Sequence, residues 1–145
     1  MKLYKRPESV LIVIYAHNSG RVLMLQRQDD PDFWQSVTGS LEEGEQPAAA
    51  AAREIKEEIG IDVVAKQLAL SDRHQSVIFE IFPHFRHRYA PGVTHCKEHW
   101  FTLVLPEEFT PHLTEHLDFR WLAPEQAVTL TKSWSNAQAI KNFAN

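Results

Sequence analysis

Gly39-Ser-Leu-Glu-Glu-Gly-Glu-Gln-Pro-Ala-Ala-Ala-Ala-Ala-Arg-Glu-Ile-Lys-Glu-Glu-Ile-Gly-Ile61 places six glutamates in one short segment of a 145-residue chain whose formal net charge is only −4. Pro47 suits the first turn of a helix, where its missing N–H is no loss. The five alanines 48–52 are strong helix formers. Gly60 suits a left-handed C-cap, so the segment predicts a helix from Pro47 to about Ile59. With Glu54 at zero and about 100° per residue, Glu57 falls near −60° and Glu58 near +40°. Ala48, Ala52, Ile55 and Ile59 fall together at about +100° to +160°, which predicts an apolar face with a carboxylate edge beside it.

That edge is locally unfavourable. Like charges three and four residues apart each cost a helix about 0.2–0.5 kcal/mol, and the C-terminal end of the dipole disfavours anions. A solvated acidic face balanced by Arg53 and Lys56 is one reading. A site for a hard divalent cation such as Mg²⁺ or Mn²⁺ is the other, because oxygen ligands without cysteine suit those ions.

The remaining chain has the composition of a globular protein, with 43% hydrophobic and 23% charged residues. No Pro/Gly/Ser-rich linker divides it, so residues 1–145 are expected to form one domain. The mildly acidic balance argues against nucleic acid or an anionic membrane surface as partner. The longest apolar run, Val10–Ala16, is far below the roughly 20 residues of a membrane helix. Cys96 is the single cysteine, which excludes an internal disulfide and a cysteine-based zinc site. With no secretory segment after Met1, a cytoplasmic location is expected. The eight histidines show no His-Glu-x-x-His spacing, so none is read as a zinc ligand.

Val10–Ala16 and Arg21–Arg27 read as a strand pair around the turn Asn18-Ser-Gly20. Phe33–Thr38 reads as a short extended segment leading into Gly39. Ile61–Leu70 reads as a strand or connection, Ser76–Phe82 and Glu98–Leu105 as strands, and Phe119–Leu122 as a short one. Pro124 opens a short helix, and Ser133–Asn136 offers caps for a C-terminal helix ending near Phe143. Strands with few helices suggest a mixed sheet sandwiched by helices.

Gly39, Glu45, Arg53, Glu54, Ile55, Glu57, Glu58, Gly60 and Ile61 spell G-x5-E-x7-R-E-U-x-E-E-x-G-U, with U aliphatic. This pattern resembles the Nudix box. Nine specified positions in 23 residues make it far more specific than a lone glycine motif. The resemblance implies an α/β/α sandwich with a mixed sheet, and Mg²⁺- or Mn²⁺-dependent hydrolysis of a diphosphate linkage. It implies Glu54, Glu57 and Glu58 as metal ligands, Glu45 and Arg53 as a pair bracing loop against helix, and a metal contact from the Gly39 carbonyl. A carboxylate outside the box serves as general base or further metal ligand. Glu115 and Glu98 are the two candidates, and the loop position of Glu115 before Phe119-Arg-Trp121 favours it.

Further stretches, Tyr4–Pro7, Arg27, Asp29–Gly39, Phe79–Phe82, Arg86–Thr94 and Leu130–Asn136, resemble a bacterial branch of the family. That branch takes pyrophosphate from a pterin triphosphate on the way to folate, and acts on some nucleoside triphosphates, dATP among them. Many other members have Pro-Gly-Gly where this chain has Val37-Thr-Gly39 and Ser40. The resemblance implies substrate contacts at Lys5, Arg27, Thr38, Phe79, Glu80, Ile81, Phe82 and Ser133, the two cations on phosphate. Without it, Phe79, Ile81 and Phe82 read as core more readily than as a ligand platform, and Lys5 as a surface lysine. The rivals are a broader nucleotide or dinucleoside polyphosphate hydrolase, and a non-catalytic binding module, which should have lost box carboxylates.

Overall fold

A computed structural model describes residues 3–144. Strand β1 is Glu8–Ala16 and β2 is Val22–Arg27, joined as the expected antiparallel hairpin with Tyr15 opposite Val22. The extended segment after it divides at Ser36. Strand β3, Trp34–Gln35, pairs with β2, whereas β4, Val37–Ser40, pairs with β1. Helix α1 spans Pro47–Ile59 and ends on Gly60 at φ 80°. Strands β5 (Ala69–Glu80), β6 (His95–Leu105) and β7 (His116–Leu122) follow, then α2 (Pro124–Leu130) and α3 (Trp134–Phe143).

The sheet has seven strands along the path β3-β2-β1-β6-β5, with β4 on β1 and β7 on β2. β1 and β6 run parallel and the other pairs antiparallel, so the sheet is mixed as expected. Alternate strand residues face opposite sides. Val10, Ile12, Ile14, Phe101 and Leu103 pack with Ala50, Ala51, Ile55 and Ile59 of α1. Leu11, Val13 and Trp100 pack on the other side with Ala127, Ala139 and Ile140 of α2 and α3. These two cores make the α/β/α sandwich.

Three expectations change. Ser76–Phe82 is not a strand by itself, and for Ile61–Leu70 the connection reading holds as far as residue 68. Residues 61–68 are turns and connection, and β5 is continuous across a bulge between Asp72 and Ser76. There His74 takes φ 54° and its N–H donates to Asp72 Oδ1 at 2.8 Å. The strand stops at Glu80, and Pro83 then opens a 3-10 helix over Pro83–Arg88. Finally, α1 is rotated from the expected setting. Ala50, Ala51, Ile55, Glu58 and Ile59 are buried, while Ala48 is exposed and Ala52 half-buried. Small alanines let α1 lie close on β4, so Glu58 enters the buried face instead of flanking it.

Candidate functional site

The helix setting puts an acid where the core should be apolar. Glu58 is 2% exposed, and its carboxyl lies against that of Glu54 and the Thr38 backbone, with no cation within ion-pair reach among the described residues, only the neutral His116 ring. Burial, then the neighbouring Glu54 and Glu115 carboxyls, raise its pKa well above the usual carboxylate range. Glu54, one turn earlier, is also shifted up by burial, against a downward pull from Arg53. Its carboxylate lies against Gly39, where a Cβ would overlap it. A side chain at 39 would therefore have to push the Glu54 carboxylate aside, although the backbone angle there is ordinary.

Arg53 organises the loop. Its Nε and Nη2 donate to Glu45 at 2.8 and 2.7 Å, and Nη2 also donates to the Ser40 carbonyl at 3.0 Å. Nη1 reaches Glu54 at 2.8 Å and Glu57 at 3.2 Å. The Arg53 pKa rises, the Glu45 hydrogen bond being the largest cause, and that of Glu45 falls. Glu45 also accepts from Glu42 N–H at 2.9 Å, which closes the loop onto the helix. Glu57 is the exposed member of the edge, with 52% of its side chain open.

The loop 106–115 seals the far end of α1. Thr114 Oγ1 donates to the Glu57 carbonyl at 2.8 Å, and His112 N–H to the Ile59 carbonyl at 3.2 Å. This brings exposed Glu115 close enough for its charge to raise the Glu58 pKa. Next to it, His116 points Nε2 at Glu58 Oε1 at 3.5 Å. Burial, then Arg27, lowers its pKa to about 4, so the ring is neutral at pH 7, and its Nδ1 is buried without a partner. The sequence reading missed His116 because it searched histidines only for a zinc spacing. The usable signal was its place beside Glu115 at the start of a strand.

Among the described residues, no three acidic, imidazole or thiolate side chains already converge as a metal cage. The donor set nevertheless fits a hard cation. The buried Glu58 carboxyl lies against that of Glu54, Glu54 approaches Gly39 closely, and Glu57 and Glu115 border the same cleft.

This cleft, about 1740 Å³, runs from the acidic edge to the N-terminus of α3. All the expected substrate residues line it: Lys5, Arg27, Thr38, Phe79, Glu80, Ile81, Phe82 and Ser133. Several have partners already. Arg27 forms a fork with Asp29 at 2.7 and 2.6 Å and lies 4.1 Å from the centre of the Phe85 ring. Asp29 also pairs with Arg88 at 2.5 Å, and the Arg27 hydrogen bond leads in lowering its pKa to about 2. Desolvation, then repulsion from Arg88 and Arg27, lowers the Lys5 pKa. Three mutually repelling cations on one wall suit a polyanion. Thr38 Oγ1 donates to the Val10 carbonyl at 2.8 Å, Glu80 pairs with Arg86 at 2.7 Å, and Ser133 caps α3 by accepting from Asn136 N–H at 3.1 Å. Ile81 is 2% exposed and Phe82 38%.

The two base candidates separate clearly. Glu115 is at the acidic edge. Glu98 is 4% exposed on β6, at the other end of the cleft, and accepts from Trp100 Nε1 at 3.0 Å. Burial raises its pKa.

The NUDIX domain model matches residues 5–143, so the chain belongs to the NUDIX family. Within it, the chain is 63% identical over 142 residues to the dihydroneopterin triphosphate diphosphatase of Escherichia coli K12, covering 98% of this chain and 95% of that protein. It is 56% identical over 143 residues to the Haemophilus influenzae protein of the same name, covering 99% and 90%. The solved E. coli dihydroneopterin triphosphate pyrophosphohydrolase superposes with a TM-score of 0.97, at 63% identity, over 99% of this chain and 98% of that one. A Caenorhabditis elegans Ap4A hydrolase at 23% identity, TM-score 0.73, covering 94% of this chain and 93% of that one, shares the fold.

Proposed function

We propose that this chain, acting as one domain over residues 1–145, hydrolyses dihydroneopterin triphosphate to the monophosphate and pyrophosphate, with Mg²⁺ or Mn²⁺ as cofactor. The observation that carries the reading is the pair of buried carboxyls, Glu58 and Glu54, set against each other at one end of a cleft with Lys5, Arg27 and Arg88 on its wall. The high identity to proteins of that name, over almost the full length of both, supports the substrate. A binding module is disfavoured because every box carboxylate is present. No helix among the described residues is long and apolar enough to cross a membrane, in keeping with a cytoplasmic enzyme of small molecules.

Glu54, Glu57, Glu58 and Glu115 would hold the cation, which would supply charge neutralisation at phosphate oxygens and acidification of water. Arg53 and Glu45 fix the loop so that Gly39 and Glu54 stay in contact. Lys5 and Arg27 draw the triphosphate in and align it, which is most of what phosphoryl-type transfer asks of a protein. Glu115, exposed at the edge, takes the proton of the attacking water. Thr38 borders the phosphates. Phe79, Glu80, Ile81, Phe82 and Ser133 surround the ring.

The test is kcat/KM for pyrophosphate release from dihydroneopterin triphosphate, dATP and a diadenosine polyphosphate, with and without EDTA. The reading predicts that the pterin leads and that EDTA abolishes turnover. A tenfold lead for dATP or the dinucleotide would replace it with a general nucleotide hydrolase.

A further inference from the structure

Glu98 is a buried acid that the hydrolytic step does not use. On β6 it stands opposite Val77 of β5 and Ser9 of β1, and Cys96 stands opposite Phe79. Directly paired and alternating residues share a sheet face. Ser9, Leu11, Val77, Phe79 and Glu98 therefore all lie on the α3 side. Ser9, Leu11, Phe79, Ile81 and Glu98 line the cleft there, so a single carboxylate is set among mainly apolar walls. Its neighbours are the Trp100 indole N–H and the Ser135 hydroxyl, and among the described residues no cation pairs with it. An indole N–H needs only a neutral acceptor. An ionisable group kept there at a desolvation cost fits a ligand that brings donors.

Position supports this. Ser40, next to Gly39 and the acidic edge, and Glu98 both pair with Ser9 from opposite sides. Two strand spacings, about 10 Å, separate them. Gly39, opposite Val10, faces α1, whereas Ser9, Ser40 and Glu98 face α3, so a substrate with its phosphates at Gly39–Glu54 brings its ring to Glu98 by way of the cleft that joins the two faces at the strand ends.

We infer that Glu98 is the specificity-determining residue of the cleft, its carboxylate accepting two hydrogen bonds from a ring edge that carries an N–H beside an exocyclic amino group. Pterin and guanine rings with a 2-amino-4-oxo pattern present that edge. Adenine presents an acceptor beside its amino group and mismatches a carboxylate. The inference rests on the reading of the cleft as a triphosphate site for a fused nitrogen ring, and deepens it.

Glu98→Gln keeps an oxygen for Trp100 and turns one acceptor into a donor. The expected result is a 10- to 100-fold loss of kcat/KM for dihydroneopterin triphosphate and dGTP, carried by KM, with dATP within about threefold of its original value. In the unmutated protein dITP, which lacks the 2-amino group, should fall at least about tenfold below dGTP, a readout independent of any variant's folding. An equal loss on all three substrates, no loss on any, or equal use of dITP and dGTP would overturn the assignment. If the unmutated chain does not prefer the pterin triphosphate, the substrate reading fails, while the dGTP, dITP and dATP comparison still decides the role of Glu98.

Discussion

Glu58 carries the sharpest conflict between stability and function at the level of one residue. Its burial and the adjoining Glu54 carboxyl raise its pKa, so the native state holds its proton more tightly than the unfolded chain does. The sign follows from linkage: stability falls as pH rises through the window between the ordinary carboxylate pKa and the raised one. Without metal, Glu58→Gln should therefore melt a few degrees higher than the original protein at pH 7, and the gain should shrink toward pH 5. The same variant should lose at least about 10²-fold in kcat at saturating Mg²⁺. Calorimetry on metal-stripped protein and steady-state assays measure the two effects. His116 runs the other way. Its pKa of about 4 lies below the ordinary value, so its contribution is full above the unfolded pKa and fades as pH falls through that window. Glu115→Gln should lower kcat by about 10²-fold while KM stays near its original value, and steady-state kinetics against Glu98→Gln, whose loss is in KM, separates base from ring contact. The box glutamates were legible from spacing alone. Burial of Glu58 was not, because a helical wheel gives relative angles and not which angle meets the sheet.

At the scale of elements, the site depends on close approach between α1 and β4. Gly39 lets the Glu54 carboxylate touch the strand, and Gly39→Ala should displace it. Because only the end of the Glu54 side chain has to move, stability should change by less than about 1 kcal/mol, while kcat falls at least tenfold, measured by denaturant unfolding and initial rates. Helix α3 offers a separate case. Ser133 caps it through the Asn136 N–H, so Ser133→Ala should cost about 0.5–2 kcal/mol and raise KM more than it lowers kcat. The limits of α1 were readable because Pro47 and Gly60 punctuate them by backbone chemistry. The division at Ser36 was not, since which neighbour an extended segment pairs with depends on residues distant in sequence. The β5 bulge was hidden for a similar reason: Ser71–Ser76 is polar, and register across it is set by β6.

Across the whole molecule, the sheet joins two different jobs. One side carries α1 and the acidic edge, the other carries α3 and the buried Glu98, and the cleft between strand ends and loops links them. The mixed sandwich was legible from the strand pattern and the box. The cleft was only partly so. Lys5, Arg27 and Thr38 were found by resemblance, whereas the burial of Glu98 along the cleft emerges from tertiary packing alone.

The central claim is that the α1 carboxylates form a cation site and are more than a solvated acidic face. Mn²⁺ binding followed by electron paramagnetic resonance tests it most directly, on the unmutated chain, on Glu58→Gln, and on Glu43→Gln as a control from the exposed part of the loop. The account predicts saturable binding to the unmutated chain and the control, and loss of at least tenfold in affinity for Glu58→Gln. Equal Mn²⁺ affinity in all three would contradict it.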